Sequence, residues 1–497
     1  MKNNSMTKPN SSLILVMGGA VLFNFLFWQE KMGLNSLLFA VFYLVSLIYL
    51  FPDSKKSKGF WLTAGGALLT GIMIVWHNSA AAKFAHLISL MCAAGFAQEP
   101  NLRQLLRSLV QYLLGWWQTP RHFFESLNLP DTATNKKKMT FGKALGLSVI
   151  PLVVVIVFYL LYYGANDKFA ALADRFWEQV GRILSFDISW DHLLFFLMGI
   201  FLVGAALWRN QSDMAEEEAA APDNLLHQRP PKKRYIESLN MMGLKREYQQ
   251  AFLLLWMLNA LLFVVNATDI RYVWFGFDQE ALSNLKGYVH EGTYFLIASI
   301  LLAMAVLFYV FRKNLNFFPL NHRLRWAAAI WLVQNGILAF SVAVRNARYI
   351  DYHGLAYKRI GVILFLILVF VGLITLYVKI KTPKTRAWLW RQNGWAFYAV
   401  LVLNACVAWD EVITQYNLSG APKGAVDIRF MIYNVSDKNL YLLEDKLQQL
   451  PSIPMYPVMS ATDIQNGVAR KRELYEEKMG RLTWKSWNKG DLANQRK

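Results

Sequence analysis

The sequence predicts an all-α protein: a polytopic transmembrane helix bundle of about eleven spans, followed by a small C-terminal extramembrane helical domain. Three observations predict it. Hydrophobic residues fill 55% of the 497 positions, charged residues only 17%, and mean hydropathy is +0.26. A typical soluble domain carries about 25% charge and about 45–50% apolar residues. Apolar runs of about 20 residues, the length needed to cross a hydrocarbon core of about 30 Å, recur along the chain. Finally, the 52 lysines and arginines are unevenly distributed between the connecting loops.

The predicted spans lie at 12–28, 34–51, 60–76, 80–97, 144–163, 191–208, 250–268, 292–311, 326–343, 360–378 and 394–410. The clearest are Leu145–Tyr163 and Ile360–Tyr377. The least apolar is 80–97, which contains Lys83 and His86. Residues 101–117 are also apolar, but Arg103 and Arg107 interrupt them, so they predict an amphipathic helix on the cytoplasmic surface. Residues 168–184 predict a second interfacial helix, with Phe169, Leu172, Phe176, Val180 and Ile183 on one stripe. Asn24, Asn259, Asn266, Gln334 and Asn335 fall inside spans, where interhelical hydrogen bonding is the expected role.

Placing the N-terminus in the cytoplasm puts 28 of the 52 cations on inner segments, 11 on outer loops and 13 in the tail after residue 410. Cationic loops stay inside, so the bias predicts N-in and C-out in a cytoplasmic (inner) membrane. Lys136-Lys137-Lys138 and Lys232-Lys233-Arg234 then face anionic headgroups of the bilayer. One outer loop dissents, carrying Arg345, Arg348, Lys358 and Arg359.

Four regions follow: an N-terminal transmembrane region at 1–208 with six spans and the interfacial helices, a charged cytoplasmic linker at 209–248, a second transmembrane region at 249–410 with five spans, and an extracytoplasmic domain at 411–497. In that last region, Val435–Leu450 reads as a helix with Ser436 as N-cap and a stripe of Leu440, Leu443, Leu447 and Leu450. Residues 463–486 read as a second helix, separated from the first by Pro451, Pro454 and Pro457.

Several stretches carry a family resemblance. They are Ile150-Pro151 with Asn166-Asp167-Lys168-Phe169, then Tyr288-Val289-His290-Glu291-Gly292, then Arg348 to Leu355 followed by Lys358-Arg359. The tail adds Asn417-Leu418, Asp427, Ser436-Asp437 and the Trp484, Trp487, Asn488 group. In order and spacing the chain resembles the bacterial multi-pass membrane proteins of the domain of unknown function 4153/4173 group, over residues 140–490. His290 stands where that pattern expects an arginine, and His353-Gly354 replaces Tyr-Gly. The resemblance implies a topology and an envelope location, without an activity.

The sequence shows no P-loop, dinucleotide glycine fingerprint, zinc helix or nucleophile elbow. No catalytic residue, metal ligand or cofactor is therefore assigned. Neither basic run sits on a folded module of the kind nucleic-acid binding requires, so nucleic acid is not an expected partner. Candidate site residues are the ionisable groups at span ends, because charge near a membrane tends to face protein or water. They form three clusters: Asp269 and Arg271 with His290 and Glu291; Arg345, Arg348, Tyr349, Asp351, Tyr352 and His353; and Asp410 with Glu411. Arg348 and Asp351 are spaced for an i, i+3 pair. Two readings stand side by side: ordinary structural ion pairs, or an outer polar vestibule that receives an anionic group.

The leading functional expectation is a non-enzymatic membrane scaffold, sensor or assembly component of the cell envelope, with a protein partner reached through the C-terminal domain. The alternatives are a transporter or lipid-handling protein using the vestibule, and a membrane-embedded transferase or hydrolase.

Overall fold

The computed structural model describes residues 9–127, 154–183 except 156, 189–224 except 211, 237–275, and 285–495 except 312. Within these, 9–10, 127, 178–183, 237–242, 285–294 and 313–314 are described by backbone alone. The regular secondary structure of the described residues is all helical, with only two isolated bridges and no strand.

Six helices among the described residues are long and apolar enough to cross a membrane, or seven if the bent pair Arg386–Ala405 and Trp409–Leu418 counts as one span. Three shorter apolar helices accompany them: Ser11–Phe27, Leu34–Leu50 and Phe295–Val310. Most of the predicted span 144–163 lies outside the described residues.

The first half comprises α1 (Pro9–Phe27), α2 (Leu34–Leu50), α3 (Lys58–His77), α4 (Ala80–Gln98), α5 (Leu105–Leu127), α6 (Asp167–Ile183) and α7 (Trp190–Leu207). All of these except α6 share one core, which includes Leu47, Phe60, Phe96 and Leu207. The polarity of α4 now has a reason. It is the most enclosed of the six candidate spans, with 61% of its apolar window buried. Its His86 is satisfied by the Ala67 carbonyl of α3 at 2.9 Å. A helix surrounded by protein need not be apolar all round.

Helix α5 is amphipathic, as expected, but turns its polar face toward the protein. Its polar residues Ser108, Gln111 and Thr119 are buried, while Leu106, Leu113 and Trp117 are exposed. Gln111 donates to the Asn210 carbonyl at 2.9 Å and to Gln98 at 3.3 Å. This inside-out pattern is what a helix adopts when its surroundings are apolar and its polar groups must find partners within the protein. Helix α6 leaves Phe169, Leu172 and Phe176 exposed along one stripe.

The second half comprises α8 (Glu237–Asp269, continued by a π-turn to Phe275), α9 (Leu285–Val310), α10 (Asn321–His353) and α11 (Tyr357–Lys381). Leu255, Ile300, Leu307, Leu324 and Leu338 lie in their common core. Amides stitch α8 to α10: Asn259 donates to Ala327 O, Gln334 to Asn259 and Asn266 to Gln334 O, each at 3.0 Å. Asn335 instead bonds Trp331 O within its own helix. Helix α12 (Arg386–Ala405) joins the halves. Its Tyr398 donates to Ser89 of α4 at 2.9 Å, and its Asn393 donates to Thr375 of α11 at 3.0 Å.

A 61° bend separates α12 from α13 (Trp409–Leu418). Beyond it come α14 (Ile428–Tyr433), α15 (Leu440–Asp445) and α16 (Ala461–Gly480), with a small core of their own that includes Ile428, Met431, Leu440, Leu443 and Ile464. The helix expected over 435–450 is shorter. Ser436 caps a 3-10 turn rather than an α-helix, and α15 ends at Asp445. Leu450 nonetheless reaches the core, through the 3-10 turn Leu450–Ser452. Helix α16 starts at a capping box between Ser460 and Asp463 and stops at Gly480, short of the expected 486.

Three of the segments assigned by charge to the inner side, 98–143, 209–248 and 379–391, meet through their described residues. Asp223 pairs with Arg391 at 2.9 Å, Glu218 accepts the Arg103 N–H, and Trp395 donates to Arg103 O. The turns at 28–33, 77–79 and 353–357 lie at the opposite end of the bundle, and the segment after α12 packs there.

Candidate functional site

The tail is fastened to the bundle by polar contacts that span nearly the whole chain. Leu34 N–H, at the start of α2, donates to Trp487 O at 3.0 Å. Gly33 lies directly beneath the Ser486 and Trp487 carbonyls, so a Cβ has no room there. Lys31 reaches Asp491 at 2.7 Å, and Lys438 bonds the other Asp491 oxygen. On the second half, Gly354 closes α10 at φ +80°, a conformation that favours glycine. Asn417 of α13 then brackets Leu355, accepting its N–H at 2.6 Å and donating to its carbonyl at 2.9 Å.

Between the bundle end and the tail lies a cavity of about 620 Å³. Lys83 of α4, Lys31, Lys438 and Lys478 line it, against Asp410 and Asp437. Ile360, Leu364 and Trp409 supply apolar wall. Asp410 accepts from the Tyr357 and Ser436 hydroxyls, and Asp437 holds Lys478 at 3.1 Å. The Lys83 ammonium has no hydrogen-bond or ion-pair partner among the described residues. Burial alone would raise the Asp491 carboxyl, but Lys438 and Lys31 hold it below its ordinary value. Asp437 is likewise held low, its burial outweighed by Lys438 and Lys478.

Of the described residues expected to form the vestibule, Asp410 lines this cavity and the rest are not in its lining. Asp269 pairs with Arg345 rather than with its neighbour Arg271, which is exposed. Arg348 donates to Trp274 O at 3.1 Å. Asp351 is exposed and forms no ion pair among the described residues, so the i, i+3 pair with Arg348 is not made; its carbonyl accepts Lys423 N–H at 2.8 Å. Tyr352 O accepts Gly424 N–H at 3.0 Å. Arg359 lies 4.3 Å from the centre of the buried Tyr349 ring, and that ring is 4.5 Å from His353. Asp410 lines the cavity, while Glu411 beside it is half-buried. The side chains of His290 and Glu291 lie outside the described residues.

Sequence reasoning did not assemble Lys31, Lys83, Lys438 and Lys478 into a site. The one local signal is Lys83, a lysine inside the predicted span 80–97. Among the described residues, no group of three or more His, Cys, Asp or Glu is placed to hold a metal ion. Cys92 and Cys406 are both free thiols.

Long apolar helices that bury their polar residues and expose their apolar ones mark a multi-pass helical membrane protein. The chain belongs to the family described as Domain of unknown function (DUF4153), whose model matches residues 33–445. That match runs from the turn before α2 to the end of α15. No curated protein and no solved structure matches the chain.

Proposed function

We propose that this chain is a non-enzymatic component of the bacterial cell envelope, a scaffold, sensor or assembly factor of the inner membrane. In this reading about eleven spans cross the bilayer. The N-terminus is cytoplasmic, and residues 411–497 form an outer cap that presents a surface to a protein partner. The carrying observation is the fastening of the tail through Lys31, Asp491 and Lys438, which makes the cap a fixed part of the bundle end. Asp269–Arg345 and Arg359–Tyr349 also favour it, because both are contacts within the fold.

The cap exposes Val458 at 85% and buries Ile464 completely, which gives a test and its control. A photo-crosslinking residue at Val458, in intact cells, should trap one protein of defined mass in a reproducible adduct, and the same residue at Ile464 should not. Absence of a specific adduct at Val458 and at the nearby exposed Tyr456 would overturn the proposal. Reporter fusions after Ser57, Lys137 and Gln228 should read cytoplasmic, and one after Gln495 external. The lysine-lined cavity favours a second reading, the handling of an anionic group.

A further inference from the structure

We infer that the cavity between the bundle and the cap is a binding site for a phosphate-bearing ligand, with Lys83 as its principal anchor. The four lysines and two aspartates of the lining are not interchangeable. Lys31 and Lys438 are both committed to Asp491. Lys478 is committed to Asp437, and both Asp410 oxygens are committed to hydroxyl donors. That leaves Lys83, a half-buried ammonium facing the cavity without a counter-ion. A partly desolvated cation beside other cations is costly unless an anion joins it.

The cavity also constrains the size and shape of the anion. About 620 Å³ falls within the roughly 300–1,000 Å³ of small-molecule sites and far exceeds a bare phosphate. Ile360 and Leu364, one turn apart on α11, and Trp409 at the bend offer an apolar wall beside the lysines. The ligand therefore has a phosphate group joined to a less polar body. Lysine serves phosphate as a point charge, which needs no planar fork geometry. Two sources share this chemistry: the headgroup of an anionic phospholipid and a soluble glycerol phosphate. Because Lys83 belongs to the bundle while Lys438 and Lys478 belong to the cap, the bound phosphate would also bridge the two.

The test uses the purified full-length chain in nanodiscs. In one arm, phosphatidylcholine nanodiscs are titrated with glycerol 1-phosphate by calorimetry. In the other, phosphatidylglycerol is included and retained lipid is counted by native mass spectrometry. One arm should show saturable binding of a single ligand, and which arm it is identifies the source. Lys83→Gln should weaken that binding about tenfold or more, the effect of losing one charge-assisted hydrogen bond. Lys83→Arg should largely restore it. Lys56→Gln, at the opposite end of the bundle and exposed beside Asp53, should leave it unchanged. Without ligand, Lys83→Gln should melt no lower than the parent chain, because it removes an unpaired charge; a purely structural lysine predicts a lower melting temperature. Absence of binding in both arms, or undiminished binding by Lys83→Gln, overturns the inference.

Discussion

Lys31 and Asp491 are 460 positions apart in the chain and 2.7 Å apart in the fold, with side chains only 15% and 4% exposed. Asp491 is shared with Lys438, so one carboxylate holds both the α1–α2 turn and the cap.

Replacing Asp491 by asparagine should leave two nearly buried ammonium groups without their counter-ion. Breaking a buried pair from one side costs about 3–5 kcal/mol. The expected outcome is release of the cap from the bundle end, read as faster proteolysis after α13 and a lower melting temperature in detergent. A variant as protease-resistant as the parent would show that the pair does not hold the cap.

Acid should release the cap by the same route. Asp437 and Asp491 have folded pKa values below the ordinary 3.8. A carboxylate whose folded pKa is depressed contributes stability above its unfolded pKa and loses it as pH falls through the folded one. Protection of the α16 amides against hydrogen exchange should therefore be steady from pH 7 to pH 5. It should decline only below about pH 4. A midpoint near pH 6 would assign the linkage to other groups.

Gly95 and Gly65 should respond oppositely to alanine. A Cβ on Gly95 runs into the Ser108 backbone of α5, whereas Gly65 has open space around that position. Gly95→Ala should cost about 1–3 kcal/mol through separation of α4 and α5. Gly65→Ala should be neutral or mildly stabilising, since alanine is the better helix former. Thermal melts of the two variants side by side decide it.

For Asp269 and Arg345, a double-mutant cycle separates a structural role from a ligand-binding one. Asp269→Asn should be strongly destabilising, because it strands an arginine that is 11% exposed. Asp269→Leu combined with Arg345→Met should recover most of the loss. Single variants with unchanged melting temperatures would return this pair to the list of binding residues.

The helices were largely legible in the sequence because an apolar environment imposes a length on each run. Leu34–Leu50 and Tyr357–Lys381 correspond closely to the spans read at 34–51 and 360–378. Two features were harder to read. Arg103 and Arg107 suggest a surface helix, but the orientation of α5 depends on Gln98, at the end of α4, and Asn210, in the loop after α7. Asp269 is close to Arg271 in sequence, whereas a helix packed alongside supplies the actual partner, Arg345. The cavity was the least legible feature. Its lysines at 31, 83, 438 and 478 are each unremarkable in local sequence, and only the docking of the cap brings them together.

The contact between Leu34 and Trp487 has a consequence for biosynthesis. Chains emerge from the ribosome at about 5–20 residues per second, so the turn at residue 34 waits roughly half a minute to a minute and a half for its partner. Throughout that wait the Gly33 backbone and Lys31 face whatever occupies that side of the membrane. Docking of the cap therefore follows the synthesis of everything between these two residues, and the contact at residue 34 is among the last that the chain can close.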